Sequence, residues 1–346
     1  MSQMVIRGPY LNDLLSQPEA LRATLRGLSE RAGLAPVEGL LQRRAWSRIV
    51  LTGMGASFHA LQPITMELLA AGRCAIRLES SELIHGAMAQ CAADTLLVVV
   101  SQSGASAEIV RLLDLNREAT ILAVTNNPDS PLARRAAAVV FTQVGTEYSV
   151  SCKTYVATLL ALQAIGALLL TKDARDTLES LARMPAMVAA YLARWEAHVA
   201  ALMQRLAGFK TLFLMGRGAS LAAVGAGSLI TKEAARFPAE GMSSAAFRHG
   251  PMELLNAERL AIVLTGVGPT AALNRGLLET IARQGQQGEA LGAEATFAPF
   301  CLPTVPQHQL PFFEILPLQM MTLALAALSG REAGRFDYLT KVTEVE

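Results

Sequence analysis

Apolar residues along this chain fall into short uncharged blocks separated by longer two-faced segments, the pattern of buried strands alternating with helices. The clearest block is Leu96–Val100, β-branched and uncharged, as a central parallel strand covered on both faces should be. Blocks of this kind predict strands over Arg48–Thr52, Thr95–Ser101, Thr120–Thr125 and Ala138–Thr142 in the first half. In the second half they predict Thr211–Met215, Leu260–Thr265 and Glu289–Leu291. Helical patterns between the strands make βαβ units and a parallel sheet, so the chain reads as α/β. The Ala-rich segments Tyr155–Leu170 and Thr177–Leu206 predict helices that join and cover the halves. Tyr10–Arg26 predicts a helix interrupted near Pro18, and Asn126–Pro131 a turn after the third strand.

The halves echo each other. Ser47–Ser57 ends in Gly53-Met54-Gly55-Ala56-Ser57, and Lys210–Ser220 ends in Gly216-Arg217-Gly218-Ala219-Ser220. At a similar distance further on, Ser80-Ser81-Glu82-Leu83-Ile84-His85-Gly86 is echoed by Ser243–Gly250. Two echoes in the same order argue for a duplicated α/β domain. G-x-G-A-S lacks the third glycine of the dinucleotide fingerprint, so it is a weak nucleotide signal.

After the Leu96–Val100 block the chain turns through Ser101-Gln102-Ser103-Gly104-Ala105-Ser106 into a helix. Three hydroxyls surround a glycine that permits a tight turn. The free N–H groups and positive dipole end of the following helix suit an anion such as phosphate. The segment carries no Lys or Arg, so such an anion would be held by neutral donors. A capped strand-to-helix corner with nothing bound fits the same residues. In open parallel sheets ligands sit at the carboxyl ends of strands, where Ser57 and this turn both lie.

Composition narrows the classes. At 346 residues there is room for about two ordinary domains. The chain is 52% hydrophobic but only 5% aromatic, which suits aliphatic α/β layers. A net charge of +1 gives no electrostatic case for nucleic acid or an anionic membrane. The best candidate for a membrane span, Ile315–Leu328, is too short and reads as a buried helix. No signal peptide is evident. The four cysteines, Cys74, Cys91, Cys152 and Cys301, show no C-x-x-C spacing and read as reduced, buried, structural thiols of a cytoplasmic protein. The five histidines show no metal-ligand pairing, so no metal is expected.

Taken together, the serine turn, the duplicated G-x-G-A-S strands and His249-Gly250-Pro251 resemble the tandem sugar-isomerase (SIS) domain family. The similarity is greatest to the isomerase portion of glucosamine-6-phosphate synthase and to related phosphosugar deaminases and deglycases. It extends over Ser16–Leu21, Thr146-Glu147 with Val150, Lys232-Glu233, Pro317-Leu318-Gln319 and Leu339–Thr343. The resemblance implies two three-layer α/β/α domains, each around a mainly parallel sheet. It divides the chain into a helical segment (1–34), a phosphosugar-anchoring domain (35–172), a helical connector (173–208), a catalytic domain (209–335) and a tail (336–346) carrying Lys341.

It also implies roles. Ser101, Gln102, Ser103 and Ser106 would hold the sugar phosphate, with Ser57 and the Val150 backbone on the sugar. Glu233 would be the acid/base that moves a proton between C1 and C2. His249, reaching across a homodimer interface, would open the ring. Lys341 would meet the carbonyl, as a Schiff base or as an electrostatic partner. No metal or redox cofactor is called for.

The expected activity is isomerisation of an amino-sugar 6-phosphate coupled to deamination. Deglycation of a fructosamine-type 6-phosphate, or phosphosugar sensing without catalysis, are the alternatives. No glutaminase portion is expected, and the chain departs from the synthase in carrying Ile230 where a second lysine would stand, and around Ser151-Cys152-Lys153-Thr154.

Overall fold

All the strands expected from the apolar blocks form, and two edge strands join them. A computed structural model describes residues 6–30, 33–43, 45–338 and 340–341. The chain opens with α1 (Pro9–Leu15), α2 (Gln17–Ser29) and α3 (Ala35–Arg43). It then alternates through β1 (Arg48–Gly53), α4 (Gly55–Ala60), α5 (Gln62–Ala70), β2 (Ala75–Glu79), α6 (Ser80–Gly86), β3 (Thr95–Val100), α7 (Ala107–Leu115), β4 (Thr120–Thr125), α8 (Pro131–Arg135) and β5 (Ala138–Phe141). The helices α9 (Lys153–Leu169), α10 (Ala174–Leu181), α11 (Met184–Leu192) and α12 (Trp195–Leu206) follow. A second alternation runs β6 (Thr211–Gly216), α13 (Leu221–Ala235), β7 (Ala239–Ser243), α14 (Ser244–Arg248), β8 (Arg259–Leu264), α15 (Pro269–Arg283), β9 (Gly288–Leu291) and α16 (Leu310–Leu328).

The first sheet has the order β2-β1-β3-β4-β5 and the second β7-β6-β8-β9, and every pairing is parallel. Burial follows position in the sheet. Every residue of β3 is buried, whereas no residue of β2 is fully buried and β7 is half exposed. That is why β2 (Ala-Ile-Arg-Leu-Glu) and β7 (Ala-Glu-Gly-Met-Ser) escape the sequence pattern. An edge strand tolerates charge and glycine, so it need not carry an apolar block.

Alternation splits each central strand between two faces. In the first sheet Val50, Leu97, Val99, Ile121 and Ala123 pack against Leu83 and Ile84 of α6, Ile109 and Leu112 of α7, and Leu132 of α8. The opposite face is covered by α4 and α9, the latter buried along almost its whole length. In the second sheet Phe213, Met215, Ala261 and Val263 pack against Phe247 of α14 and Leu277 and Ile281 of α15. There α13 and the buried α16 cover the other face. Each sheet is thus the middle of a three-layer sandwich.

Grouped by contacts, the residues fall into two units. One holds the first sheet, α2 to α10 and Lys341; the other holds α1, Tyr148–Val150 and the chain from Val188 to Asp337. Residues 1–34 therefore contribute to both.

Three expectations need correction. Thr177–Leu206, expected to be helical, is divided into α10, α11 and α12 by breaks after Leu181 and Leu192. The apolar C-terminal helix starts at Leu310 rather than Ile315, and the stretch Gln307–Leu328 is by length and composition long enough to cross a membrane; Leu310–Ala327 are instead buried as the core helix of its unit. The four cysteines are unbridged as expected, but Cys74 and Cys301 are exposed, the first beside edge strand β2 and the second in an isolated β-bridge to Gly292.

The G-x-G-A-S echo has a structural cause. A Cβ on Gly53 would lie 2.8 Å from the Val100 carbonyl oxygen and 3.2 Å from the Ser57 Cβ, so only glycine lets α4 approach the ends of β1 and β3. A Cβ on Gly216 would meet Val224, Ser220 and Leu264 at 3.1, 3.2 and 3.4 Å. Gly55 and Gly218 both turn the chain with positive φ, +52° and +60°. The second echo marks the next corner. Ser80 Oγ lies 3.0 Å from Thr52 Oγ1, and Ser244 Oγ donates to the Gly216 carbonyl at 3.3 Å, so each ties an edge helix to the central strand.

Candidate functional site

The carboxyl ends of β3, β4 and β5 are laced into one polar surface. Gly104, at φ +62°, turns the chain after β3, and a Cβ there would strike Ser130 Oγ at 2.3 Å. Ser101 is buried, and its Oγ accepts the Gly104 N–H at 3.1 Å, leaving the hydroxyl proton to donate. Ser103 Oγ accepts the Ala105 N–H at 3.3 Å. Ser106 is the N-cap of α7, but its side chain makes no capping hydrogen bond. The first N–H groups of α7 therefore face outward at the positive end of a helix.

The turn after β4 braces this one. The Asn126 N–H and the Thr125 hydroxyl both donate to the Gln102 carbonyl, at 3.1 and 3.2 Å, and the Asn127 amide donates to the Ser103 carbonyl at 3.4 Å. Asn126 also reaches the loop after β5, donating to the Gly145 carbonyl at 2.8 Å and accepting the Val144 N–H at 2.9 Å. That loop ends at Glu147, whose side chain has no solvent exposure. Its Oε1 accepts the backbone N–H groups of Cys152 (2.9 Å) and Thr154 (3.0 Å) at the start of α9. Its Oε2 receives Lys341 Nζ at 2.8 Å.

These segments border an open cavity of about 510 Å³ lined by Gln102, Ser103, Asn126, Asn127, Gln143, Thr146, Glu147 and Lys341, among others. The volume suits a small polar ligand. Among the described residues lining it, the neutral donors are amides and hydroxyls, and Lys341 with Glu147 makes the one charged pair.

Sequence reasoning therefore placed Gln102, Ser103 and Lys341 on one cavity. Ser101 and Ser106 form the turn beneath and beside it. Ser57 lies in the first turn of α4, against the end of β3 that feeds this turn. Asn126, Asn127, Gln143 and Glu147 were missed as site residues. The signal for the asparagines was available: a polar turn at the carboxyl end of the strand next to β3 must flank the same edge.

The other expected residues belong to the second unit. Glu233 is half-buried in the last turn of α13, which ends at Arg236 in the left-handed region. Arg236 ion-pairs with Asp337. His249 is exposed, and caps α14 at its carboxyl end with its N–H on the Ala246 carbonyl at 3.0 Å. Gly250 follows at φ +137°. Val150 is buried in that unit, beside Ser149, whose hydroxyl donates to the Gly334 carbonyl.

The matching edge of the second sheet carries different chemistry. Ser220, the counterpart of Ser57, donates to Glu314 Oε1 at 2.7 Å. Glu314 is fully buried on α16, and its other oxygen has no hydrogen-bond partner. Burial pushes its acid up to about 8, against a smaller lowering by the Ser220 hydroxyl, so at neutral pH it is a neutral carboxylic acid.

The fold recurs in solved structures. The C-terminal domain of glucosamine-fructose-6-phosphate aminotransferase from Francisella tularensis superposes with a TM-score of 0.83 at 19% identity, covering 97% of this chain and 100% of that one. Glucosamine-6-phosphate deaminase from Thermotoga maritima gives 0.79 at 15% identity, covering 98% and 100%. Tagatose-6-phosphate ketose/aldose isomerase from Escherichia coli gives 0.77 at 21%, covering 92% of each. At these identities the likeness concerns the fold alone.

By sequence, the chain is 27% identical over 363 residues to glutamine–fructose-6-phosphate aminotransferase (isomerizing) from Pyrococcus horikoshii, covering 99% of this chain and 59% of that protein. The counterpart from Symbiobacterium thermophilum is 28% identical over 368 residues, with 98% and 60% covered. The chain thus spans about three fifths of the length of the curated relatives it matches. The SIS domain pattern matches twice, over residues 44–168 and 205–329, and so covers both α/β sandwiches: the chain belongs to the SIS domain family.

Proposed function

We propose that this protein is a phosphosugar isomerase that acts on an amino-sugar 6-phosphate and releases its nitrogen as ammonia. The observation that carries the reading is the cavity at the carboxyl edge of the first sheet. It joins Gln102 and Ser103 of the hydroxyl-rich turn, the asparagine turn beside them and the Lys341 side chain within one small-molecule volume. The turn suits a phosphate, and Lys341 suits the oxygen of a carbonyl or enolate at the other end of an open-chain sugar. The names of the relatives support the substrate class.

In this reading His249 takes the anomeric hydroxyl proton and returns it to the ring oxygen, which opens the ring. Glu233 removes the proton from C2 and delivers it to C1 while a proton passes from the amine to O1, so the C1 aldehyde becomes a primary alcohol and the C2 amine a ketimine. Water then splits the ketimine into a ketose phosphate and ammonia. The exposed position of His249 at the end of α14 suits delivery to the site of a second subunit in a cytoplasmic homodimer.

The test is an ammonia- and amine-release screen over amino-sugar and fructosamine-type 6-phosphates. Release of ammonia from glucosamine 6-phosphate is expected. Release of an amino acid from an Amadori 6-phosphate alone would make the protein a deglycase, and binding without release of either would make it a sensor. Glu233→Gln is expected to keep phosphosugar affinity and lose at least about a hundredfold in turnover. An unchanged rate would remove the proton shuttle from Glu233.

A further inference from the structure

We infer that Asn127 is a ligand-binding residue of the first-sheet cavity, which gives one amide N–H as a neutral donor to the phosphate of the bound sugar. The inference deepens the phosphosugar reading of that cavity and rests on it. The turn after β3 carries no Lys or Arg, so a phosphate there must be met by N–H and O–H groups. Gln102, Ser103 and Asn127 line the cavity together. Asn127 comes from the turn after β4, outside the segment whose composition suggests an anion, and is brought beside Ser103 by the parallel pairing of β3 with β4.

The partners of this side chain settle which way its amide faces. The Asp129 N–H donates to Oδ1 at 3.0 Å, which identifies the oxygen and leaves the nitrogen toward Ser103. Nδ2 donates one N–H to the Ser103 carbonyl at 3.4 Å. Its second N–H has no protein acceptor among the described residues, and in a planar amide it diverges from the first. The backbone of Asn127 is pinned as well. Its N–H donates to Thr125 Oγ1 at 3.3 Å, and its carbonyl accepts the Ser130 N–H at 3.3 Å and the Ser130 hydroxyl at 2.8 Å. Ser130 in turn fills the space that a Cβ on Gly104 would need. Asn127 is therefore braced against the serine turn at two points, directly at Ser103 and through Ser130 at Gly104. A donor fixed before the ligand arrives needs little further ordering to bind it.

The experiment is calorimetric titration of fructose 6-phosphate into the unsubstituted protein and into Asn127→Asp, at about pH 8 and about pH 6. The substituted side chain still accepts the Asp129 N–H but presents an anionic oxygen where the amide nitrogen stood. At the higher pH the phosphate is a dianion, and Kd is expected to rise about a hundredfold. At the lower pH about half of the phosphate carries a proton that it can share with the carboxylate, so the rise is expected to shrink by about fivefold or more. A rise of equal size at both pH values would mark a turn altered in shape rather than a lost phosphate contact. That result, or an unchanged Kd at the higher pH, would overturn the inference and leave the phosphosugar reading standing. If Asn127→Asp does not fold, Asn127→Ser serves. Its hydroxyl can accept the Asp129 N–H but falls short of the ligand, so Kd is expected to rise about tenfold, and an unchanged Kd overturns the inference. Absence of binding of both fructose 6-phosphate and glucosamine 6-phosphate to the unsubstituted protein would overturn the phosphosugar reading, and this inference with it.

Discussion

At the end of β1, Gly53 packs against the Val100 carbonyl and Ser57; at the end of β6, Gly216 packs against Val224, Ser220 and Leu264. The two corners share a glycine framework and then part. In the first sheet the adjoining turn supplies hydroxyls and amides around a cavity of about 510 Å³. In the second, the serine of the corner is engaged by the protein's own carboxyl group, Glu314. Duplication preserved the backbone geometry because a Cβ at either glycine would disturb the join between strand and helix. It left the loops free, because side chains beyond the strand ends do not set the packing of the sheet. One copy has therefore kept a polar opening suited to an anion, while the other has its equivalent serine satisfied from within.

The contrast can be broken most directly through pH. The Glu314 acid is raised from its ordinary value to about 8 in the folded chain, so the folded state holds a proton that the unfolded state releases near pH 4.5. Its contribution to stability is complete below pH 4.5, falls as pH rises between the two values, and is fully lost above about 8. At about 1.4 kcal/mol per pH unit the loss amounts to roughly 4–5 kcal/mol. Denaturant titrations across that range should show it. Glu314→Gln, which still accepts the Ser220 hydroxyl, should flatten the profile, and an equal slope in that variant would remove Glu314 as its source.

The first edge should respond in binding rather than in pH. Ser103→Ala with Ser106→Ala is expected to weaken phosphosugar binding by about 3 kcal/mol, roughly a hundredfold, with free sugars little affected. Calorimetry on a phosphorylated and unphosphorylated pair decides it, and equal losses would remove the phosphate from this turn.

The smallest effect separates the two glycines. Gly53→Ala forces a methyl to within 2.8 Å of a backbone carbonyl, which has little freedom to move, whereas Gly216→Ala meets the Val224 side chain first, at 3.1 Å. Thermal unfolding should show about 2–3 kcal/mol lost for the first and about 1 kcal/mol for the second. Equal losses would mean that both corners yield alike.

The site was legible where one segment carried its chemistry. Gln102 and Ser103 stand in a turn whose composition already suggests an anion, and the family resemblance supplied Lys341. Asn126, Asn127 and Glu147 were not legible as site residues. Each looks like ordinary turn chemistry until β4 and β5 are placed beside β3. Glu314 was hidden for the opposite reason: in an apolar helix a single acid reads as a blemish, and its partner Ser220 lies 94 residues away.

The sequence by itself determined the α/β class, the duplication, the central strands and the serine turn. These follow from local rules: uniform apolar blocks for strands buried on both faces, and glycine where backbones meet or φ is positive. Only the tertiary structure decided the edge strands β2 and β7, the division of the long connector, the cavity and the pairing of Lys341 with Glu147. β2 and β7 lack an apolar block because an edge position leaves them partly open to solvent. The pairing joins positions 194 residues apart, which no local pattern encodes, and it exists because a carboxylate buried at the N-terminus of α9 requires a cation.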